Sequence, residues 1–102
     1  MKVIIVGAGE VGFHIASRLA HENKDVVVID EDSEAIRRVS DNIDVQVIVG
    51  SGSSPVSLED AGIKEAEILL AVTNSDETNL VACRTAKSIL QATSKKQRLQ
   101  SQ

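Results

Sequence analysis

Gly7, Gly9 and Gly12 stand in a G-x-G-x-x-G spacing, with Ala8, Glu10 and Val11 between them, and an acid, Asp30, lies about twenty residues further on. Small residues at this spacing let a chain turn sharply and bring its backbone against a pyrophosphate. The N–H groups and positive dipole end of a helix opening there would meet the negative charge. A carboxylate at the tip of the neighbouring strand would accept hydrogen bonds from ribose hydroxyls. The chemistry implied is recognition of an adenine nucleotide. Phosphoryl transfer has no support, because no lysine comes after the glycines as it does in a nucleotide-hydrolysing loop.

Glycine-rich turns are common, so the weight falls on what surrounds them. The apolar run Val3-Ile4-Ile5-Val6 enters the glycines, and a helical pattern predicted over residues 10–22 leaves them, with Val11, Ile15, Ala16, Leu19 and Ala20 on its buried face. A second run, Val26-Val27-Val28-Ile29, ends in Asp30. Asp32 or Ser33 then caps a short helix carrying Ile36 and Val39. Arg37 and Arg38 on that helix either reach an adenine face or a phosphate, or are simply solvated. His14, on the flank of the first helix, reads as a surface histidine.

A third strand is predicted over residues 44–49 and leads into Gly50-Ser51-Gly52-Ser53, a loop that could wrap a flat ring or merely connect. Ser54-Pro55 has the order of a helix cap and first-turn proline. A fourth strand over residues 68–72 delivers Thr73-Asn74-Ser75-Asp76, which offers a hydroxyl, an amide and capping groups at a strand's carboxyl end. The last helix is predicted to bury Leu80, Cys83, Ala86 and Leu90, with Cys83 as a small core residue. Its pattern dissolves after Gln91, so the chain divides into a domain over residues 1–91 and a polar tail, predicted to be disordered, over residues 92–102.

Strand and helix therefore alternate four times. Right-handed crossovers convert that alternation into an α/β, Rossmann-like parallel sheet of order 3-2-1-4, with helices on both faces and a ligand crevice between strands one and four.

The bulk composition agrees with a sheet flanked by helices. A chain of 102 residues can bury one modest core, and with Phe13 as its single aromatic residue that core must be built from Val, Ile, Leu and Ala. The net charge of −4 argues against a surface for nucleic acid or anionic membrane, and there is no aromatic platform on which bases could stack. One cysteine allows no internal disulfide, and His14 and His21, seven apart on one helix, have no cysteine partner for a metal. No stretch approaches the roughly 20 apolar residues that cross a bilayer, and the domain is expected to be soluble and intracellular, without membrane insertion of its own.

Five segments together carry a resemblance to a known family. They are Val-Gly-Ala-Gly-Glu-Val-Gly at 6–12, Val-Ile-Asp at 28–30, Gly-Ser-Gly-Ser at 50–53, Leu-Glu-Asp-Ala-Gly at 58–62 and Ala-Val-Thr-Asn-Ser-Asp-Glu-Thr-Asn-Leu-Val-Ala-Cys at 71–83. On these the chain resembles the N-terminal nucleotide-binding lobe of the TrkA family, which belongs to the domains that regulate potassium conductance. The resemblance implies a regulatory subunit of a potassium uptake transporter rather than an enzyme. Such a subunit sits in the cytoplasm, held at the inner face of the membrane by a potassium-translocating partner, and forms homo-oligomers. It implies NAD⁺ or NADH as the ligand, with ATP or ADP as the alternative. Residues Gly7 to Val11 would hold the pyrophosphate, with Gly12 packing helix on strand beneath them, Asp30 the adenosine ribose, Ser51 and Gly52 the adenine edge, and Thr73 and Asn74 the distal ribose or nicotinamide. Relatives often carry Asp where this chain has Ser51.

The family pattern continues into a fifth and sixth strand, for which Thr93-Ser94-Lys95-Lys96-Gln97-Arg98 is too polar, so the domain is expected to be truncated relative to the six-stranded form. The fourth strand would then be an exposed edge, and self-association through it or through the first and last helices is expected. The competing reading is the cofactor domain of an NAD-dependent dehydrogenase. That role needs a substrate domain and a poised acid–base pair, which the sequence does not supply. A site for S-adenosylmethionine would share the glycines and the acid but is not favoured by Thr73-Asn74.

Overall fold

Contiguous β-branched residues suit a strand covered on both faces, and the two four-residue runs of them in this chain form the centre of the sheet. The computed structural model describes residues 1–100. Its elements alternate strictly: β1 (Lys2–Val6), α1 (Glu10–His21), β2 (Asp25–Asp30), α2 (Ser33–Asn42), β3 (Gln46–Val49), α3 (Pro55–Asp60), β4 (Ile68–Ala71) and α4 (Asp76–Gln100). The strands are parallel and ordered β3-β2-β1-β4, so the expected 3-2-1-4 arrangement is borne out. β1 is the hinge of the topology. β2 lies on one side of it and β4 on the other, in register Val3 to Val26 and Val3 to Ile68.

Because side chains alternate across a strand, even and odd positions of β1 serve different cores. Ile4 and Val6 meet Leu58 of α3 and Ala82 and Ala86 of α4, while Val3 and Ile5 meet Ala16 of α1 and Ile36 and Val39 of α2. Small residues stand where helices cross the strands, so the helices come close without aromatic filling. Removing bulk from a fully buried centre such as Ile5, at 0% exposure, costs about 2–5 kcal/mol when truncated to Ala.

The structure corrects four expectations. Val11 is 57% exposed: helix α1 sets Gly12 and Ala16 over the sheet, and one residue of rotation turns Val11 off that line. Helix α4 buries Ala82 and Ala86 and packs Ile89 against the core, whereas Leu80 and Leu90 are exposed, as is Cys83. It lies over edge strand β4 beside α3, and its outer flank has no neighbour in the sheet. Residues 92–100, predicted to be disordered, continue α4. No Gly or Pro interrupts them, and Ala, Lys, Gln and Arg sustain a helix without a core to face. Residues 101 and 102 of the predicted tail lie outside the described residues. Finally, β3 begins at Gln46, and Val49 at its end is 57% exposed because β3 is the other edge.

Candidate functional site

At the carboxyl ends of β1, β2 and β4 the sheet opens into a crevice of about 440 Å³. Gly7, Gly9 and Asp30 line it on one side, with Ser51, Gly52, Thr73 and Asn74 around the rest. Ala8, Glu10, Val11 and Gly12 of the predicted set are not part of that lining.

The turn from β1 into α1 is shaped by what its residues lack. Gly7 has φ 121°, a conformation that side-chain-bearing residues rarely adopt, and a Cβ there would press on the backbone of Val72 and Thr73 at 3.0–3.1 Å. A Cβ on Gly12 would run into the carbonyl oxygen of Gly7. Gly9 is different: a Cβ on it would meet no protein atom within 4 Å. Packing thus explains two of the three glycines and leaves the third facing open crevice. The first bond closing α1 runs from Phe13 N–H to the Gly9 carbonyl at 2.8 Å, so the N–H groups of Glu10, Val11 and Gly12 have no partner within the helix.

Asp30 holds this turn in place. One carboxylate oxygen accepts from Ala8 N–H at 2.7 Å, and the other accepts from Asp32 N–H at 2.8 Å. Asp32 in turn caps α2, accepting from Glu34 N–H at 2.9 Å. A single carboxylate therefore ties the glycine turn to the end of β2 and the start of the next helix. Each oxygen accepts one bond, and a carboxylate has about four acceptor positions, so room remains for two ribose hydroxyls. Ala8 N–H, by contrast, is already committed to Asp30. Among the described residues no Lys or Arg lines the crevice, and Glu31 and Asp32 stand with Asp30 on its rim.

Gly52 is buried, and a Cβ on it would collide with the Val6 side chain, so the Ser51-Gly52 loop lies directly on the end of β1. Ser51 Oγ accepts from Ser53 N–H at 3.1 Å, which folds the loop on itself.

Across the crevice, the turn from β4 into α4 is built by side-chain bonds. Thr73 N–H donates to Asn79 Oδ1 at 2.9 Å, and Asn79 Nδ2 donates back to the Thr73 carbonyl at 3.2 Å. Thr73 Oγ1 lies 2.7 Å from Asn79 Oδ1 and 3.1 Å from the Ser75 carbonyl, and accepts from Ser75 N–H at 3.2 Å. Ser75 Oγ accepts from Thr78 N–H at 3.1 Å, as a cap does. The Thr73 hydroxyl is therefore engaged within the turn, and exposed Asn74 is left to meet a ligand, with Ser75 and Thr78 beside it in the crevice lining. Sequence reading missed Asn79. The available signal was an Asn in the first turns of a helix, where the residue is a poor helix former unless its side chain is used elsewhere.

Arg38 is not a crevice residue: its guanidinium lies 4.2 Å from the centre of the Phe13 ring. His14 is exposed beside the same ring. Among the described residues no group of three or more His, Cys, Asp or Glu side chains could hold a metal ion, and no helix is long and apolar enough to cross a membrane.

Comparison with known proteins gives this arrangement a family. The TrkA-N domain matches residues 3–100. The Trk system potassium uptake protein TrkA of Halomonas elongata is 41% identical over 95 residues, covering 93% of this chain and 21% of that protein. A TrkA homologue of Methanosarcina mazei is 51% identical over 90 residues, covering 88% of this chain and 21% of its own length. The chain thus spans about a fifth of the length of these curated relatives. Among solved structures, the Kef C-terminal domain of Shewanella denitrificans in its AMP-bound form superposes with a TM-score of 0.73 at 23% identity, over 86% of this chain and 52% of that one. The NAD(P)-binding domain of an exopolyphosphatase-related protein from Archaeoglobus fulgidus gives 0.75 at 19%, over 84% and 64%. These two likenesses concern the fold. The sequence matches run from β1 into α4 and include the glycine turn, Asp30 and the Thr73 to Asn79 turn, and on them the chain belongs to the TrkA-N domain family.

Proposed function

We propose that this domain binds an adenine dinucleotide, NAD⁺ or NADH, across the crevice and serves as the sensing part of a potassium uptake regulator. The observation that carries the reading is Gly9, whose missing side chain leaves space that no protein atom fills, beside a helix start with unpartnered N–H groups. Gly7, Gly9 and the N–H groups of Glu10, Val11 and Gly12 hold the pyrophosphate, with Ala8 positioning the turn through Asp30. Asp30 takes the adenosine ribose, Ser51 and Gly52 meet the adenine edge, and Asn74 meets the distal half, with Thr73 shaping the turn that presents it. An acidic rim without a crevice cation disfavours the additional phosphate of NADP.

The role is regulatory rather than catalytic. Relatives named as Trk system potassium uptake proteins support a potassium-translocating membrane partner, with this domain at the cytoplasmic face. Exposed edge β4 and the exposed leucines of α4 support assembly with further copies. Regulation then results if the ligand binds two arrangements of the assembly with different affinity.

An adenine mononucleotide is the second reading. It is favoured by the AMP-bound state of the Kef domain and needs only the Asp30 side of the crevice. Titration calorimetry with NAD⁺, NADH, NADP⁺, AMP, ADP and ATP separates the two. Tighter binding of NAD⁺ or NADH than of AMP and ADP supports the dinucleotide, the reverse order supports the mononucleotide, and heat from none of them rejects both.

A further inference from the structure

We infer that Asn79 is a positioning residue for the half of the ligand that lies beyond the phosphates. The inference rests on the nucleotide reading of the crevice. Strand β4 ends at Ala71, and beyond it Thr73 has no strand partner to take its backbone groups. Asn79 supplies both halves of a backbone amide: its Oδ1 accepts from Thr73 N–H and its Nδ2 donates to the Thr73 carbonyl. The same Oδ1 lies within hydrogen-bond reach of Thr73 Oγ1. Three contacts from one half-buried side chain thus fix a single residue, and Asn74, next along, is aligned as a consequence.

The sheet order gives this turn its place relative to the ligand. β2 and β4 flank β1, so the turn held by Asn79 lies two strand spacings, roughly 10 Å, from the strand carrying Asp30. An adenosine anchored at Asp30 puts its phosphates over the glycine turn of β1. Only the part of a ligand distal to those phosphates reaches the β4 side. A dinucleotide therefore senses the setting of Thr73 and Asn74, and AMP does not. Asn79 touches no ligand; it acts through the turn.

The test compares NAD⁺ and AMP by calorimetry on the full chain and on Asn79→Ala, Asn79→Asp and Thr73→Val. Asn79→Ala removes all three contacts, and we expect NAD⁺ affinity to fall about tenfold while AMP affinity changes less than about twofold. Asn79→Asp keeps the acceptor for Thr73 N–H but sets a carboxylate oxygen against the Thr73 carbonyl in place of a donor, and its NAD⁺ affinity falls at least as far as that of Asn79→Ala. Thr73→Val keeps both backbone bonds and gives the smallest loss. Equal losses for the two ligands, or unchanged NAD⁺ affinity across the three variants, overturn the inference while leaving nucleotide binding in place. Failure of the unaltered chain to bind either ligand removes the nucleotide reading, and the inference with it. If Asn79→Ala does not fold, the graded series from Asn79→Asp and Thr73→Val decides.

Discussion

The two turns that wall the crevice achieve rigidity by opposite means. Between β1 and α1 the chain omits side chains, so that Gly7 can take a positive φ and Gly12 can touch the Gly7 carbonyl. Between β4 and α4 it adds them, and Thr73, Ser75 and Asn79 bond to each other's backbone and hydroxyl groups. At Gly7 and Gly12 a turn defined by absence tolerates no addition, because a new atom there meets backbone. A turn defined by hydrogen bonds degrades in steps, because each lost bond is worth only about 0.5–1.5 kcal/mol.

That contrast makes the predictions graded. Gly12→Ala drives a methyl into a carbonyl and should destabilise by about 3 kcal/mol or more, read as a drop in the denaturant midpoint at unchanged slope. Asp30→Ala leaves the Ala8 and Asp32 N–H groups without their acceptor, and we expect a loss of about 1–3 kcal/mol in the same assay together with loss of nucleotide binding. Asp30→Asn, with one amide oxygen in place of two carboxylate oxygens, should lie between Asp30→Ala and the unaltered chain. Gly9→Ala is the sharpest case. Its Cβ meets no protein atom, so stability should change by about 1 kcal/mol or less through the helix cap alone, while nucleotide affinity falls by about tenfold or more. A Gly9→Ala protein that unfolds, or that binds normally, would break the division between glycines kept for packing and a glycine kept for ligand. Val11→Ser, at an exposed position one residue from Gly12, should shift stability by no more than about 0.5 kcal/mol.

The glycine side of the crevice was legible in the sequence because its physics is compositional. Only glycine fits Gly7 and Gly12, and the β-branched runs that deliver the turn and Asp30 admit few other folds. The sheet order came from strict alternation. The register of α4 was not legible. Its sequence carries two apolar stripes, one through Ala82, Ala86 and Ile89 and another through Leu80, Cys83 and Leu90, and hydropathy favours the larger residues. The sheet selects the smaller ones, because alanines let the helix lie close on β4, and close packing is invisible to periodicity. Asn79 was hidden for a related reason. A side chain that reaches back six residues to hold the backbone just past a strand's end leaves no pattern in hydrophobicity, only an awkward residue near a helix start.

Helix α4 begins at the crevice and runs for 25 residues, about 37 Å at the rise of an α-helix. Its first turns carry Thr78 on the crevice wall and Asn79 in the bond network, while its last turns extend past the residues that pack on β4. Such a rod would carry any movement of the crevice wall outward along its length. A tilt of about 5° at the near end would sweep the far end through about 3 Å, enough to be felt by whatever rests against it.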